Sequence, residues 1–208
     1  GKKGMFKIAV LASGGGTDFQ SIIDGVESGY LENCSIEMLI SDRPGIHAIE
    51  RAKKHGIENK VLDSKVYGAG LSDEILKLLH GKVDLIVCAG WLSILQGKLI
   101  SEFKNKIINI HPSLIPSFCG DGMYGIKVHE SAVKKGVKVS GCTVHFIDSG
   151  TDSGPIIFQK AVPVYFEDTA GDLQKRILKE EHRALPRVIK LVSQNKVSVI
   201  QGRVKIGK

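Results

Sequence analysis

The sequence predicts an α/β fold with a mostly parallel, doubly wound sheet, and three observations support this prediction. Short runs rich in β-branched residues alternate with stretches of helical spacing through the first 110 residues, a pattern typical of parallel strands joined by helices. After residue 139, two strand-like runs follow each other directly, as an antiparallel pair does. A long helical pattern comes next. We therefore expect an antiparallel C-terminal portion of the sheet and a long C-terminal helix.

The elements can be assigned in chain order. Residues 6–11, 36–40, 61–62, 83–88 and 107–110 are predicted strands, because each is short, apolar and rich in residues that favour strands. The first helix should begin near Thr17 or Asp18, since both side chains can cap a helix. It should bury Phe19, Ile22, Ile23 and Val26. A second helix is expected over residues 46–55, with Gly56 ending it.

The second half contains two predicted strands, 143–147 and 156–164, joined by the turn-rich stretch 148–154. A helix over residues 169–194 follows, opened by the capping-box pattern Thr169-x-x-Asp172 and bent at Pro186. A length of 208 residues with 42% hydrophobic and 25% charged residues suits one globular domain spanning 1–208. Residues 1–4, before Met5, are expected to be a remnant of an expression tag.

Charge and cysteine usage narrow the functional classes. The net charge of +7 is spread over scattered lysines, so we expect small anionic ligands and no nucleic acid. The four cysteines lie far apart without a Cys-x-x-Cys pair, which favours neither a metal site nor a disulfide framework. With no apolar run of membrane-spanning length, a cytoplasmic location is expected.

A glycine-rich turn, residues 13–18, lies between the first strand and the first helix. Backbone N–H groups and the helix dipole favour an anion at such a position, and a phosphate is the natural ligand. The turn matches neither the dinucleotide fingerprint nor a Walker P-loop. A tight turn without a ligand is the alternative.

Asn109 and His111 stand two residues apart at the end of a predicted strand, so both side chains project from one face. An amide and an imidazole aimed together can stabilise an oxyanion and move a proton. The alternative is that both side chains are hydrogen-bonded polar groups at a strand end with no catalytic role. A carboxylate should orient the ring, and Asp152 is the first candidate and Asp148 the second. Either residue could instead only stabilise the turn in which it lies.

Glu181 interrupts the apolar stripe of the long helix, four residues after Ile177. A carboxylate on that face needs a partner or a ligand. A solvated position at the margin of the stripe is the alternative. His145, within a predicted strand, is interpreted as a structural histidine, and His129 lies on a short amphipathic helix.

Three motifs now carry a resemblance: residues 109–116 (NIHPSLIP), 144–146 (VHF) and 152–157 (DSGPII). In this order and at this length they resemble the phosphoribosylglycinamide formyltransferase family of folate-dependent formyl transferases, from Met5 to about Val199. The resemblance implies a Rossmann-like formyltransferase sheet whose N-terminal half binds the ribonucleotide phosphate. The C-terminal half would bind folate and carry the catalytic residues.

The resemblance further implies transfer of the formyl group of 10-formyltetrahydrofolate to the amine of glycinamide ribonucleotide in purine biosynthesis. The folate is a co-substrate, no metal is required, and the enzyme is a monomer or homodimer. The implied catalytic residues are Asn109, His111 and Asp152. The implied ribonucleotide-binding residues are Gly16, Thr17, Asp18, Ile110, Pro112 and Glu181. The implied folate-binding residues are Leu92, Ser93, Ile94, Leu95, Asn109, Ile147 and Asp148.

The chain departs from the family pattern at three places. Asp18 stands where asparagine is frequent, and it is expected to face away as a helix cap. Ser93 stands where a basic residue is common. The loop 67–70 lacks the arginine that often contacts the glutamate tail of the folate, and Lys65 is expected to replace this arginine. The loop 119–125 is longer and richer in glycine, as a mobile cover would be. A formyltetrahydrofolate deformylase and a non-catalytic nucleotide-binding module are the alternative functions.

Overall fold

The computed structural model describes residues 4–207. Most of the expected tag remnant, residues 1–3, lies outside this range. The chain divides into two compact units, Gly1–Asn109 and Ile110–Lys208. The expectation of a single domain stays a prediction.

Seven strands of the described chain form one mixed sheet in the order β3-β2-β1-β4-β5-β6-β7. The strands are β1 Phe6–Ala12, β2 Cys34–Ser41, β3 Asn59–Val61, β4 Leu85–Cys88, β5 Ile107–His111, β6 Val139–Phe146 and β7 Ile156–Pro163. Strands β1 to β5 pair in parallel, whereas β6 and β7 pair antiparallel. This arrangement confirms the predicted fold class. The long C-terminal helix is present as well.

Seven α-helices accompany these strands within residues 4–207. They are α1 Thr17–Glu27, α2 His47–Lys54, α3 Ser64–Tyr67, α4 Leu71–Leu79, α5 Lys98–Glu102, α6 Ile126–Lys135 and α7 Ala170–Ser193. The capping box that opens α7 is confirmed, because the Thr169 side chain accepts from the Asp172 N–H and the Asp172 carboxylate accepts from the Thr169 N–H. Pro186 lies inside this continuous helix. The bend predicted there stays a prediction.

Helix α1 begins at Thr17, as predicted, but the expectation that the side chain of Thr17 or Asp18 caps it is wrong. Gly16 occupies the N-cap position with φ of 78°, and no side chain caps that end among the described residues. A glycine in the left-handed conformation lets the chain turn sharply between β1 and α1. The backbone N–H groups of the first turn of α1 have no acceptor within the helix and point out of its amino end. Val26, expected to be buried, is half-buried.

A C-terminal hairpin was missed by the sequence reasoning. Strands β8 Val197–Ile200 and β9 Arg203–Ile206 form a separate two-stranded sheet. Gln201 and Gly202, which join them, have φ of 50° and 73°. Positive φ at both residues of a two-residue loop is typical of a type I′ hairpin turn, so the alternating apolar residues around Gln201-Gly202 were the available signal.

Strand β1 forms the centre of the first unit, since all five residues from Ile8 to Ala12 are 0% exposed. In the second unit, α7 presents a buried face that includes Leu173, Ile177 and Leu185. Burial on both faces of β1 explains its continuous apolar run, because parallel strands covered on two sides lack the alternation of a half-exposed strand.

Candidate active site

The glycine-rich turn is held from outside by α2. The Ala48 N–H donates to the Gly14 carbonyl at 3.2 Å, and the Arg51 Nε donates to the Gly15 carbonyl at 2.8 Å. These contacts fix the turn in front of α1, an 11-residue helix whose amino end attracts anions. A Cβ on Gly16 would lie 2.8 Å from the Ala48 Cβ, so the close approach of the turn to α2 requires glycine there.

Asp18 lies in the first turn of α1 and is 8% exposed. Its position beside the turn is favourable for the helix dipole. It is not the N-cap, so the expectation that it serves as a helix cap is wrong.

The end of β5 carries the two polar side chains that the sequence singled out. Asn109 is half-buried and His111 is 4% exposed. The His111 Nε2 lies 2.9 Å from the Phe118 carbonyl oxygen. Because a carbonyl can accept but not donate, Nε2 carries a proton in this arrangement. The other ring nitrogen, Nδ1, faces the Asp152 carboxylate.

Asp152 lies between two histidines. Its Oδ2 is 3.8 Å from the His111 Nδ1, and its Oδ1 is 3.7 Å from the His145 Nε2. The Gly120 N–H also donates to Oδ2 at 3.0 Å. This carboxylate thus sits where it can stabilise a positive charge on either ring and can contact the loop after His111.

Asp148, the alternative carboxylate, serves its own loop. Its Oδ1 accepts from the Gly150 N–H at 2.9 Å and from the Ser153 hydroxyl at 2.6 Å. The loop closes through Gly154, where an added Cβ would lie 1.7 Å from the Phe146 carbonyl oxygen. The geometry favours Asp152 as the partner of His111, and the role of that partner stays a prediction.

Two histidines that the sequence reasoning did not place near His111 lie close to this cluster. Burial is the largest influence on the pKa of His145 and lowers it, whereas the Phe146 carbonyl and Asp152 act in the opposite direction. His129 on α6 is 1% exposed, and its burial, together with the electrostatic influence of His111, lowers its pKa to about 4. The motif Val144-His145-Phe146 was a signal that His145 lies near the site. The helical spacing around His129 gave no such signal.

The segment 92–95 presents apolar surface. Leu92 is 48% exposed and Ile94 is 76% exposed, whereas Leu95 is buried. Two exposed aliphatic side chains so close together form a surface that a flat heterocycle can cover. The Ser93 hydroxyl, which stands where a basic residue was expected, donates to Asp42.

Ile110 and Glu181 are buried, with 5% and 4% exposure, and Pro112 is half-buried. Ile147 and Asp148 are half-buried at the end of β6. Within residues 4–207, no helix is long and apolar enough to cross a membrane. The same part of the chain contains no cluster of three or more His, Cys, Asp or Glu side chains arranged for a metal ion.

Comparison with known proteins decides the family. The profile of the family described as formyl transferase matches residues 6–189. The chain belongs to the formyl transferase family. The match spans the glycine-rich turn, the end of β5 and the loop that carries Asp152, so the features described above lie inside the family domain.

Individual relatives support the same placement. The glycinamide ribonucleotide transformylase 1 structure from Symbiobacterium toebii is 38% identical, with a TM-score of 0.92, and the alignment covers 100% of this chain and 96% of that one. The chloroplastic phosphoribosylglycinamide formyltransferase of Vigna unguiculata is 36% identical over 92% of this chain and 62% of its own. The trifunctional purine biosynthetic protein adenosine-3 of Gallus gallus is 38% identical over 93% of this chain and 19% of its own. The chain therefore spans less than two thirds of the length of these two curated relatives.

Proposed function

We propose that this protein transfers the formyl group of 10-formyltetrahydrofolate to the amine of glycinamide ribonucleotide. The products are formylglycinamide ribonucleotide and tetrahydrofolate. The observation that carries the proposal is the buried His111 at the end of β5, with Asp152 at 3.8 Å, in a chain that the formyl transferase profile matches. The relatives named above supply the choice of ribonucleotide and folate.

In the proposed reaction, the substrate amine attacks the formyl carbon and the carbonyl oxygen becomes an oxyanion. The Asn109 amide and protonated His111 donate hydrogen bonds to that oxygen. Because the Phe118 carbonyl occupies the His111 Nε2 donor at 2.9 Å, the formyl oxygen has to displace this carbonyl to receive that hydrogen bond. Asp152 stabilises the charged ring through Nδ1. Collapse of the intermediate breaks the bond to the folate nitrogen N10, and the proton lost by the amine neutralises N10.

The two substrates are assigned to different features. We assign the phosphate to Gly16, Thr17 and Asp18, because the turn there is hydrogen-bonded to α2 and opens a helix. The pterin is placed against Leu92 and Ile94 because they are exposed and apolar. The contact of Glu181 with the ribose hydroxyls, the lining of the ribonucleotide slot by Ile110 and Pro112, and the contacts of Ile147 and Asp148 with the folate remain predictions.

The deciding assay follows tetrahydrofolate release by absorbance after mixing the protein with 10-formyltetrahydrofolate, with and without glycinamide ribonucleotide. We expect release that requires the ribonucleotide and falls by at least about 100-fold in His111→Ala, the lower range for loss of a general acid. His80→Ala is the matched control, since the His80 side chain is 72% exposed. Release without the ribonucleotide would indicate a deformylase. Absence of release under both conditions would indicate a non-catalytic nucleotide-binding module.

A further inference from the structure

Two buried hydrogen-bond anchors hold the start of the segment 92–95. The first is Ser13, which follows β1 and is 6% exposed. Its hydroxyl accepts from the Leu92 N–H at 2.9 Å, and its own N–H donates to the Gly90 carbonyl at 2.9 Å. One serine thus fixes the backbone on both sides of Trp91.

The second anchor is Asp42, which follows β2 and is 0% exposed. Its Oδ2 accepts from the Ser93 hydroxyl at 2.6 Å, and its Oδ1 accepts from the Arg43 Nε at 3.1 Å. A buried carboxylate is costly unless its charge is paired and its oxygens are hydrogen-bonded. Arg43 supplies the charge and donates to both oxygens, and Ser93 donates the shorter hydrogen bond to Oδ2.

Leu95 is buried and holds the end of the segment, but side-chain packing does not explain the two anchors at its start. Leu92 and Ile94 are 48% and 76% exposed, so their own burial contributes little to holding the backbone in place. Exposed apolar side chains on a fixed backbone are instead suited to a ligand, because a surface that is already ordered loses less entropy when the ligand binds.

We propose that Ser13 and Asp42 are positioning residues for the folate, acting through Leu92 and Ser93. The inference rests on the proposed function, since it takes the segment 92–95 to be the pterin-binding surface. Neither Ser13 nor Asp42 needs to touch the ligand. Their loss lets the segment move, so the folate binds more weakly while the oxyanion-stabilising groups at the end of β5 stay in place.

The test measures tetrahydrofolate binding by calorimetry, which needs no turnover, together with kcat and the KM of each substrate. The variants are Ser13→Ala, Ser93→Ala, Asp42→Ala and Asp42→Asn. Asparagine keeps an oxygen that can accept from Ser93 and so serves as the conservative rescue. Ser101→Ala is the matched control, because within residues 4–207 the Ser101 hydroxyl donates to the Lys98 carbonyl of its own exposed helix turn.

We expect each of the three alanine variants to weaken tetrahydrofolate binding by about 3- to 10-fold, the factor that one lost hydrogen bond commonly represents. The KM for 10-formyltetrahydrofolate should rise more than kcat falls, and the KM for the ribonucleotide should change less. Asp42→Asn should recover most of the affinity lost in Asp42→Ala, and Ser101→Ala should match the wild type.

Trp91 gives an independent measure, since it is the single tryptophan of the chain. Acrylamide should quench its fluorescence more strongly in Ser93→Ala than in the wild type when no ligand is present. Ser13→Ala decides the matter if Asp42→Ala does not fold, because Ser13 is not among the residues expected to contact the folate.

The possible outcomes separate the two proposals. A wild type that binds no tetrahydrofolate contradicts the proposed function itself. A wild type that binds while Ser93→Ala and Ser13→Ala bind equally well overturns the positioning role. An equal loss in kcat and in both KM values, accompanied by a lower melting temperature, would indicate a general structural role and would also overturn it.

Discussion

The buried His129 predicts a measurable loss of stability in mild acid. It lies on α6 with 1% exposure, and its Nδ1 has no hydrogen-bond partner within residues 4–207. Its pKa is lowered from 6.5 to about 4, chiefly by burial and additionally by the nearby His111. The folded protein therefore resists protonation of a ring that titrates freely in the unfolded chain.

The magnitude follows from the two pKa values. Because the folded value lies below the unfolded one, the unfolded chain binds more protons between pH 6.5 and pH 4. The stabilising contribution is complete above pH 6.5 and is lost as the pH falls. With these values, the free energy of unfolding drops by about 1 kcal/mol at pH 5.5 and by about 2–3 kcal/mol at pH 4.5, relative to neutral pH.

Urea unfolding at pH 7.5, 5.5 and 4.5 on the wild type and on His129→Gln isolates this contribution. Glutamine is neutral at every pH, so the difference between the two proteins should shrink or reverse in acid by the amounts above. His145, whose pKa burial also lowers, is present in both proteins and cancels. Asp168, with a pKa of about 2, loses its stabilising charge only below this range. Parallel curves for the two proteins would refute the reasoning.

Two further predictions concern glycine geometry and helix capping. Gly16→Ala should lower the free energy of unfolding by about 1–3 kcal/mol, because it strains a left-handed residue and overlaps Ala48, and it should raise the KM for the ribonucleotide. Urea unfolding and kinetics check this against Gly15→Ala, where an added Cβ meets nothing within 4 Å; equal effects would contradict it. Thr169→Ala should cost about 1 kcal/mol through loss of the capping box, whereas Thr169→Ser should not. Thermal unfolding of both variants is the check, and equal melting temperatures would exclude a capping contribution.

Much of the fold could be read from local pattern. The alternation of short β-branched runs with helical stretches predicted β1, β2, β4 and β5 and their parallel pairing, because burial on both faces leaves long apolar runs. The capping box at Thr169 was equally predictable from the sequence, because its two hydrogen bonds join residues that are three positions apart. The hairpin β8–β9 was missed because its turn signal, Gln201-Gly202, lacks the usual asparagine or aspartate.

The candidate site was predictable to the extent that its parts lie close in sequence. Asn109 and His111 share a strand face by virtue of spacing alone. The choice between Asp148 and Asp152 was beyond the sequence, because both lie in one turn and only the folded loop shows that Asp152 lies beside His111 and His145.

The sequence by itself determined the fold class, the glycine-rich turn before α1 and the polar pair at the end of β5, since each depends on contacts or periodicities within a few residues. The tertiary structure alone decided that Asp152 lies between His111 and His145, that His129 is buried nearby, and that Ser13 and Asp42 anchor the segment 92–95. Those contacts join residues 7 to 79 positions apart along the chain. Their formation depends on the packing of whole elements, which local spacing does not encode.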